Sequence, residues 1–286
     1  MKQAFALILT VLSVSAFAQD KVIYGQDDRL DLYQVTDSMK LTLADSTVAL
    51  MEAGNLSMSG GKVRISSGKY GEEMGLCSDE PFYDQPSAAF CSGSLVGEDL
   101  LITAGHCVTS QSDCMGTKFV FNFNVKAEGR FPSEVDASDV VGCKKLIKRE
   151  QIGTGADYAV IQLDRKITNH KPLAINRAND LKNGDSIGVI GHPSGLPTKV
   201  AFGASVVRNA AASSGHFVAN LDTYGGNSGS AVFNEKTGKI EGILVRGETD
   251  FVYANGCRRS NVCAATGCRG EDVTKISALA ALIPEI

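Results

Sequence analysis

Ser228 lies in the stretch TYGGNSGSAV, residues 223–232, and two readings of that stretch compete. A run of glycines and serines between apolar segments is ordinary turn composition. The same run can also hold a serine where its hydroxyl becomes a nucleophile. That chemistry needs a base to take the proton, a group to orient the base, and N–H donors for the oxyanion that forms. The chain offers four histidines as bases: His106, His170, His192 and His216. His106 occurs in LLITAGHCV, where an apolar strand runs into a small-residue turn. A lone histidine in that setting is more often structural than catalytic, so these residues alone leave both readings open.

The elements that would position these groups are short. β-branched and aromatic runs recur between turn signals at Ser94–Val96, Leu100–Thr103, Lys118–Phe123, Tyr158–Leu163, Ser186–Ile190, Ala231–Phe233 and Ile240–Val245. Their length is that of strands in a sandwich or barrel, and the chain's 30 glycines supply the turns. Phe119, Phe121 and Phe123 alternate as on a strand with one buried face. Only the tail departs from the pattern. There Val273, Ile276, Leu279, Ala280 and Ile283 recur at helical spacing before Pro284, which predicts a C-terminal helix. The polar segment 163–180 reads as the connection between two β-halves, and the Gly/Ser-rich segment 51–75 as a surface hairpin or a processing loop.

Composition sets the compartment. Lys2 followed by a 14-residue apolar stretch, Ala4 to Phe17, and then Ala16-Phe17-Ala18 reads as a secretory signal peptide over residues 1–18. The stretch falls short of the ~20 residues that cross a bilayer, so no membrane anchor is expected. The mature protein should be secreted, to the periplasm or beyond. Its eight cysteines are then expected in disulfides. The spacing of Cys257, Cys263 and Cys268 matches no common zinc pattern, and no acidic cluster has calcium-ligand spacing. No metal and no cofactor is therefore expected. A net charge of −4 gives no basic footprint for nucleic acid.

FCSGSLVGEDLLITAGHC, residues 90–107, resembles the chymotrypsin–trypsin family of serine proteases, in which a cysteine directly follows the catalytic histidine and another lies sixteen residues earlier. GADYAVIQL, with Asp157, and GGNSGS, with Ser228, are similar to that family's other two landmarks and stand in its order. The resemblance implies Ser228 as nucleophile, His106 as base and Asp157 as the group that orients it, with the N–H groups of Gly226 and Ser228 as oxyanion hole. It implies a Cys91–Cys107 disulfide, which also suits two cysteines flanking a strand and turn that return beside each other. The pairing of Cys77, Cys114, Cys143, Cys257, Cys263 and Cys268 stays open, with Cys114–Cys143 favoured as a link between two strands of one barrel. The implied fold is all-β: two antiparallel Greek-key barrels, with His106 and Asp157 in residues 22–165, and Ser228 and a terminal helix in residues 166–286. A monomer acting on protein or peptide substrates is expected.

VIYGQDDR, residues 22–29, resembles the mature start of the family's bacterial branch of glutamyl endopeptidases, which places a short pro-segment at residues 19–21. Asn227 stands where animal trypsins carry the aspartate that pairs with a new N-terminus, so their activation switch is not expected. Leu244 stands where the glutamyl branch carries a recognition histidine, while Asp222 stands where trypsins place the acid of the primary pocket. With Thr223 and Gly247, Asp222 is expected to bind an arginine or lysine side chain; glutamyl specificity is the alternative. Arg246 could neutralise Asp222. An α/β-hydrolase is excluded, because its histidine follows the serine and no histidine follows His216. A non-catalytic binding protein on a protease fold is the remaining alternative.

The mature chain should start at Val22. N-terminal sequencing of the active secreted enzyme checks this, and an isoleucine in the first cycle, from a cut at Arg64–Ile65, overturns it.

Overall fold

A computed structural model describes residues 22–209 and 214–286; the expected signal peptide and pro-segment lie outside the described residues. The seven β-branched runs, with five further strands, form two closed antiparallel barrels of six strands each. Around the first run Thr117–Val120, Val140–Gln151, Asp157–Leu163, Leu100–Thr103, Cys91–Gly97 and Thr47–Glu52, which closes on Thr117–Val120. Around the second run Ser186–Gly191, Ala231–Asn234, Ile240–Arg246, Glu271–Lys275, His216–Ala219 and Lys199–Arg208, which pairs back with Ser186–Gly191. Closure leaves neither sheet with a free edge along most of its length.

Each barrel has its own apolar filling, and a third cluster joins them. Leu50, Leu95, Leu101, Phe119 and Phe121 fill the first, and Val189, Phe217, Val232, Leu244 and Val273 the second. Ile102, Tyr158 and Val160 on the first barrel pack with Ile190, Phe233, Ile243 and Val245 on the second. The second face of the strands that carry these residues is thus buried too, which gives the cleft between the barrels a packed floor. Among the described residues no helix is long and apolar enough to cross a membrane.

Three sequence expectations change in detail. The strand through Phe119 stops at Val120, because Asn122 takes a left-handed φ of 59°. Phe119 and Phe121 stay inside the barrel while Phe123 turns into a separate cluster with Met51 and Val120. The tail forms two 3-10 turns, Ile276–Ala278 and Ala280–Leu282, instead of one α-helix, and Val273 belongs to a strand. Spacing of i, i+3 serves a 3-10 turn as well as an α-helix, and Pro284 disfavours helical backbone at Ile283. Finally, the segment from residue 22, expected in the first barrel, adds to the second: Arg29–Asp31 pairs with Lys199–Ala201. Segment 51–75 contains a hairpin, Leu56–Ser59 with Lys62–Ile65.

Cys91–Cys107 and Cys114–Cys143 are disulfides as expected, and the others are Cys77–Cys257 and Cys263–Cys268. Cys77–Cys257 spans 180 residues and ties the hairpin Phe251–Ala254/Cys257–Ser260 to the segment after the short helix Tyr70–Met74. All three cysteines of the 257–268 segment are thereby oxidised, which removes the thiolates that zinc would need.

His170, in the connection between barrels, serves the fold. Its buried ring stacks on Phe121 with centroids 4.2 Å apart, and its nitrogens lie 3.0 Å from Asp45 Oδ2 and 3.3 Å from Asp139 Oδ1. Burial alone would lower its pKa, but the two carboxylates outweigh burial and raise it. A histidine raised above its unfolded value of about 6.5 contributes stability below that pH and loses it as pH rises through the folded value. The unfolding free energy of wild type minus that of His170→Asn should therefore shrink as pH is raised from about 6 upward, measured by denaturant titration. A difference independent of pH rules this out.

Candidate active site

His106 follows directly from how its strand ends. Leu100–Thr103 leaves the barrel into a turn closed by Cys107 N–H on the Ala104 carbonyl at 3.1 Å, and the Cys91–Cys107 disulfide pins that turn to the neighbouring strand. The turn presents both the backbone and the ring of His106 to Asp157. His106 N–H donates to Asp157 Oδ1 (3.1 Å), and Nδ1 lies 2.8 Å from Asp157 Oδ2. That contact requires the proton on Nδ1, which leaves Nε2 with a lone pair to accept one.

Asp157 is fully buried at the start of its strand, so its polar atoms need partners. Besides the two bonds from His106, its N–H donates to Thr274 Oγ1, and the Thr274 hydroxyl donates to the Asp157 carbonyl, both at 3.0 Å. Thr274 belongs to the second barrel, so this pair is also an inter-barrel joint. The Arg246 guanidinium lies 4.0 Å from Asp157 Oδ2.

Ser228 arrives from the second barrel in a tight loop. Asn227 N–H donates to Tyr224 O (3.0 Å), Ser230 N–H to Asn227 O (2.9 Å), and Gly229 N–H to Leu244 O (2.8 Å). The turn requires left-handed backbone on both sides of the serine: φ is +86° at Gly226 and +90° at Gly229. Space is equally tight. A Cβ at Gly226 would come within 2.8 Å of His192 O, and one at Gly229 within 2.1 Å of Ser92 O. The Ser228 carbonyl accepts from Ser92 N–H at 2.8 Å and lies 3.6 Å from Cys107 Sγ, so the serine loop seats directly on the histidine turn.

The 192–195 turn fixes the Gly225–Gly226 peptide in the serine loop. Ser194 N–H binds the Gly225 carbonyl, and in a trans peptide the Gly226 N–H then points the opposite way. Ser92 Oγ accepts from His192 N–H and donates to Gly226 O, both at 2.9 Å. His192 itself is buried, its Nδ1 3.0 Å from Leu196 O, and burial pushes its pKa down to about 4, so it is a neutral support.

The expected pocket residues divide. Asp222 faces the N-terminal segment: Oδ1 accepts from Tyr24 N–H (2.7 Å) and Oδ2 from Asp28 N–H (2.8 Å). Burial pushes its carboxyl up to about 7. A carboxylate so engaged tethers residues 22–28 in place of standing open at a pocket base. The acid between Thr223 and Gly247 is Glu271. Thr223 Oγ1 donates to its Oε2 at 2.9 Å, Glu248 N–H to its Oε1 at 3.2 Å, and a side chain on Gly247 would collide with it. Arg246 does not neutralise Asp222; it binds Asp272 and the loop before Asp157. Asn227 makes no trypsin-like ion pair here, since its Oδ1 accepts from Ser230 Oγ (3.1 Å).

Ser92, Thr274 and Glu271 thus join the site with no place in the sequence reading, and Arg246 joins it in a role other than neutralising Asp222. Ser92 carried a signal: a strand reading CSGSLVG, buried throughout, must satisfy its hydroxyls on other elements. The others carried none, because their partners lie far away in the chain.

Two interlocked barrels with a His–Asp pair on one and a glycine-flanked serine on the other define a class. The model of the trypsin-like peptidase domain matches residues 91–243, and the chain belongs to that family. No curated protein sequence matches it. Among solved structures it is similar to a Glu endopeptidase in complex with MPD at 20% identity and a TM-score of 0.50, over 84% of this chain and 94% of that one. It is also similar to the VesB protease of Vibrio cholerae at 13% identity and a TM-score of 0.51, over 92% of this chain and 66% of that one. At such identities the likeness is one of fold.

Proposed function

We propose that the protein is a secreted serine endopeptidase working through an acyl-enzyme, with Ser228 as nucleophile. The observation that carries this is the 2.8 Å contact of His106 Nδ1 with the buried Asp157 carboxylate, beside the loop that holds Ser228. Ser228 Oγ attacks the scissile carbonyl while His106 Nε2 takes its proton. Asp157 holds the tautomer and stabilises the imidazolium. The N–H groups of Gly226 and Ser228 receive the oxyanion, and His106 returns the proton to the leaving amine. Water then attacks the acyl-enzyme by the same route, and no cofactor takes part.

Cleavage after arginine or lysine is the specificity we propose. The primary pocket lies in this reading between Thr223 and Gly247, with the Glu271 carboxylate against it, and that charge favours a cationic side chain and repels glutamate. Leu244 is fully buried inside the second barrel and offers no imidazole to a glutamyl substrate. A mature start at Val22 fits the same region. Val22 is fully buried, and its carbonyl accepts from Thr223 N–H at 3.2 Å. A cut at Arg64–Ile65 would instead sever a strand paired on both sides.

Ser228→Ala should lower kcat on the order of 10⁶-fold with the thermal transition unchanged, and should abolish labelling by a fluorophosphonate. A loss of only a few-fold places the chemistry elsewhere. On a peptide library the wild type should cut after arginine and lysine; cleavage after glutamate rejects the proposed pocket.

A further inference from the structure

Arg246 closes the strand Ile240–Arg246 on the second barrel, yet most of its bonds are to the first. Nη1 donates to Gly153 O (3.3 Å), and Nη2 to Thr154 O (3.1 Å) and Gly155 O (3.0 Å). Nε donates to Asp272 Oδ2 (3.2 Å), which also receives Arg269 Nη2 at 2.9 Å. Four of the five guanidinium hydrogens are so engaged. Nη1 also stands 4.0 Å from Asp157 Oδ2, the oxygen that faces His106 Nδ1.

The three carbonyls belong to the loop that leads into Asp157. That loop has little else to hold it. Gly153 and Thr154 are exposed, Ile152 is 58% exposed, and its own bonds are local, from Gly155 N–H to Ile152 O and from Ile152 N–H to Ala156 O. Two glycines in three residues leave it many conformations when unbound. A planar fork that grips three successive carbonyls removes that freedom, as an ammonium on a flexible stem cannot.

We propose that Arg246 is a positioning residue for catalysis: it clamps the Gly153–Gly155 loop across the barrel interface and so fixes the Asp157 carboxylate on His106. Asp272 aims the fork from below. The guanidinium touches no reacting atom, and with four of its five hydrogens committed to the chain it acts on the loop and not on the substrate. The inference rests on the reading of His106, Asp157 and Ser228 as a catalytic set.

Arg246→Met keeps the stem and removes the fork. With a small chromogenic ester, kcat should fall about 10- to 100-fold while KM stays within about twofold, because the substrate site is intact and the base is misplaced. The rate of fluorophosphonate labelling of Ser228 should fall by the same factor. Arg246→Lys, which restores charge without the fork, should recover only part of kcat. An unchanged kcat, or a loss confined to KM, overturns the proposal, as does full recovery by lysine. Should Arg246→Met not fold, the isosteric Asp272→Asn carries the test, with a several-fold lower kcat at unchanged KM expected and an unchanged kcat overturning it. Wild-type enzyme that neither turns over the ester nor labels would instead defeat the catalytic reading, and this inference with it.

Discussion

A carboxylate buried away from water must have every lone pair answered, and Asp157 imposes that demand at the junction of the two barrels. The histidine turn answers it with a backbone N–H and a ring nitrogen, and Thr274 of the other barrel takes the peptide group beside it. Moving either barrel would leave one of these groups unpaired in a low-dielectric interior. The mutual placement of the barrels and the orientation of the imidazole are therefore set by one local requirement. The apolar cluster between the barrels makes their association favourable; the polar contacts at Asp157 make it specific.

The serine loop meets a different constraint. Its conformation is available only to glycine at 226 and 229, and its seat is made by Ser92 and the 192–195 turn. The Cys91–Cys107 disulfide stands between the two halves of the site, one sulfur near the serine carbonyl and the other on the neighbouring strand. Cross-linking there restricts the turn that carries His106 without touching the imidazole's reactive nitrogen.

Residues 22–31 act as a strap over the second barrel. Asp222 binds two of its N–H groups, and Lys199 Nζ binds Asp31 Oδ1 (2.6 Å) and Gln85 Oε1 (2.7 Å). Burial lowers the pKa of Lys199 to about 8, with Asp31 opposing the fall. Arg29 lies over the ring of Tyr224, 4.2 Å from its centroid, and Tyr224 is four residues before Ser228 in the chain. Removing one partner of a buried ion pair such as Lys199–Asp31 typically costs about 3–5 kcal/mol, so the strap is held by charge as well as by the pairing of Arg29–Asp31.

Much of this was legible in order along the chain. Short β-branched runs mark seven of the twelve barrel strands, and three local motifs in the right order point to His106, Asp157 and Ser228. Five strands carry no such mark: Thr47–Glu52, for one, is buried on nearly every residue and shows no alternation, and Glu271–Lys275 runs into a tail whose spacing fits an α-helix and a 3-10 turn alike. What a motif encodes is a backbone shape and a side-chain type, and both are local, so sequence sufficed for them. Which acid faces Gly247, where Asp222 points, how Cys77 finds Cys257 and what Arg246 grips depend on contacts between residues far apart in the chain. A buried charge goes to whichever partner packing brings within reach, and only the closing of the two barrels on each other decided that.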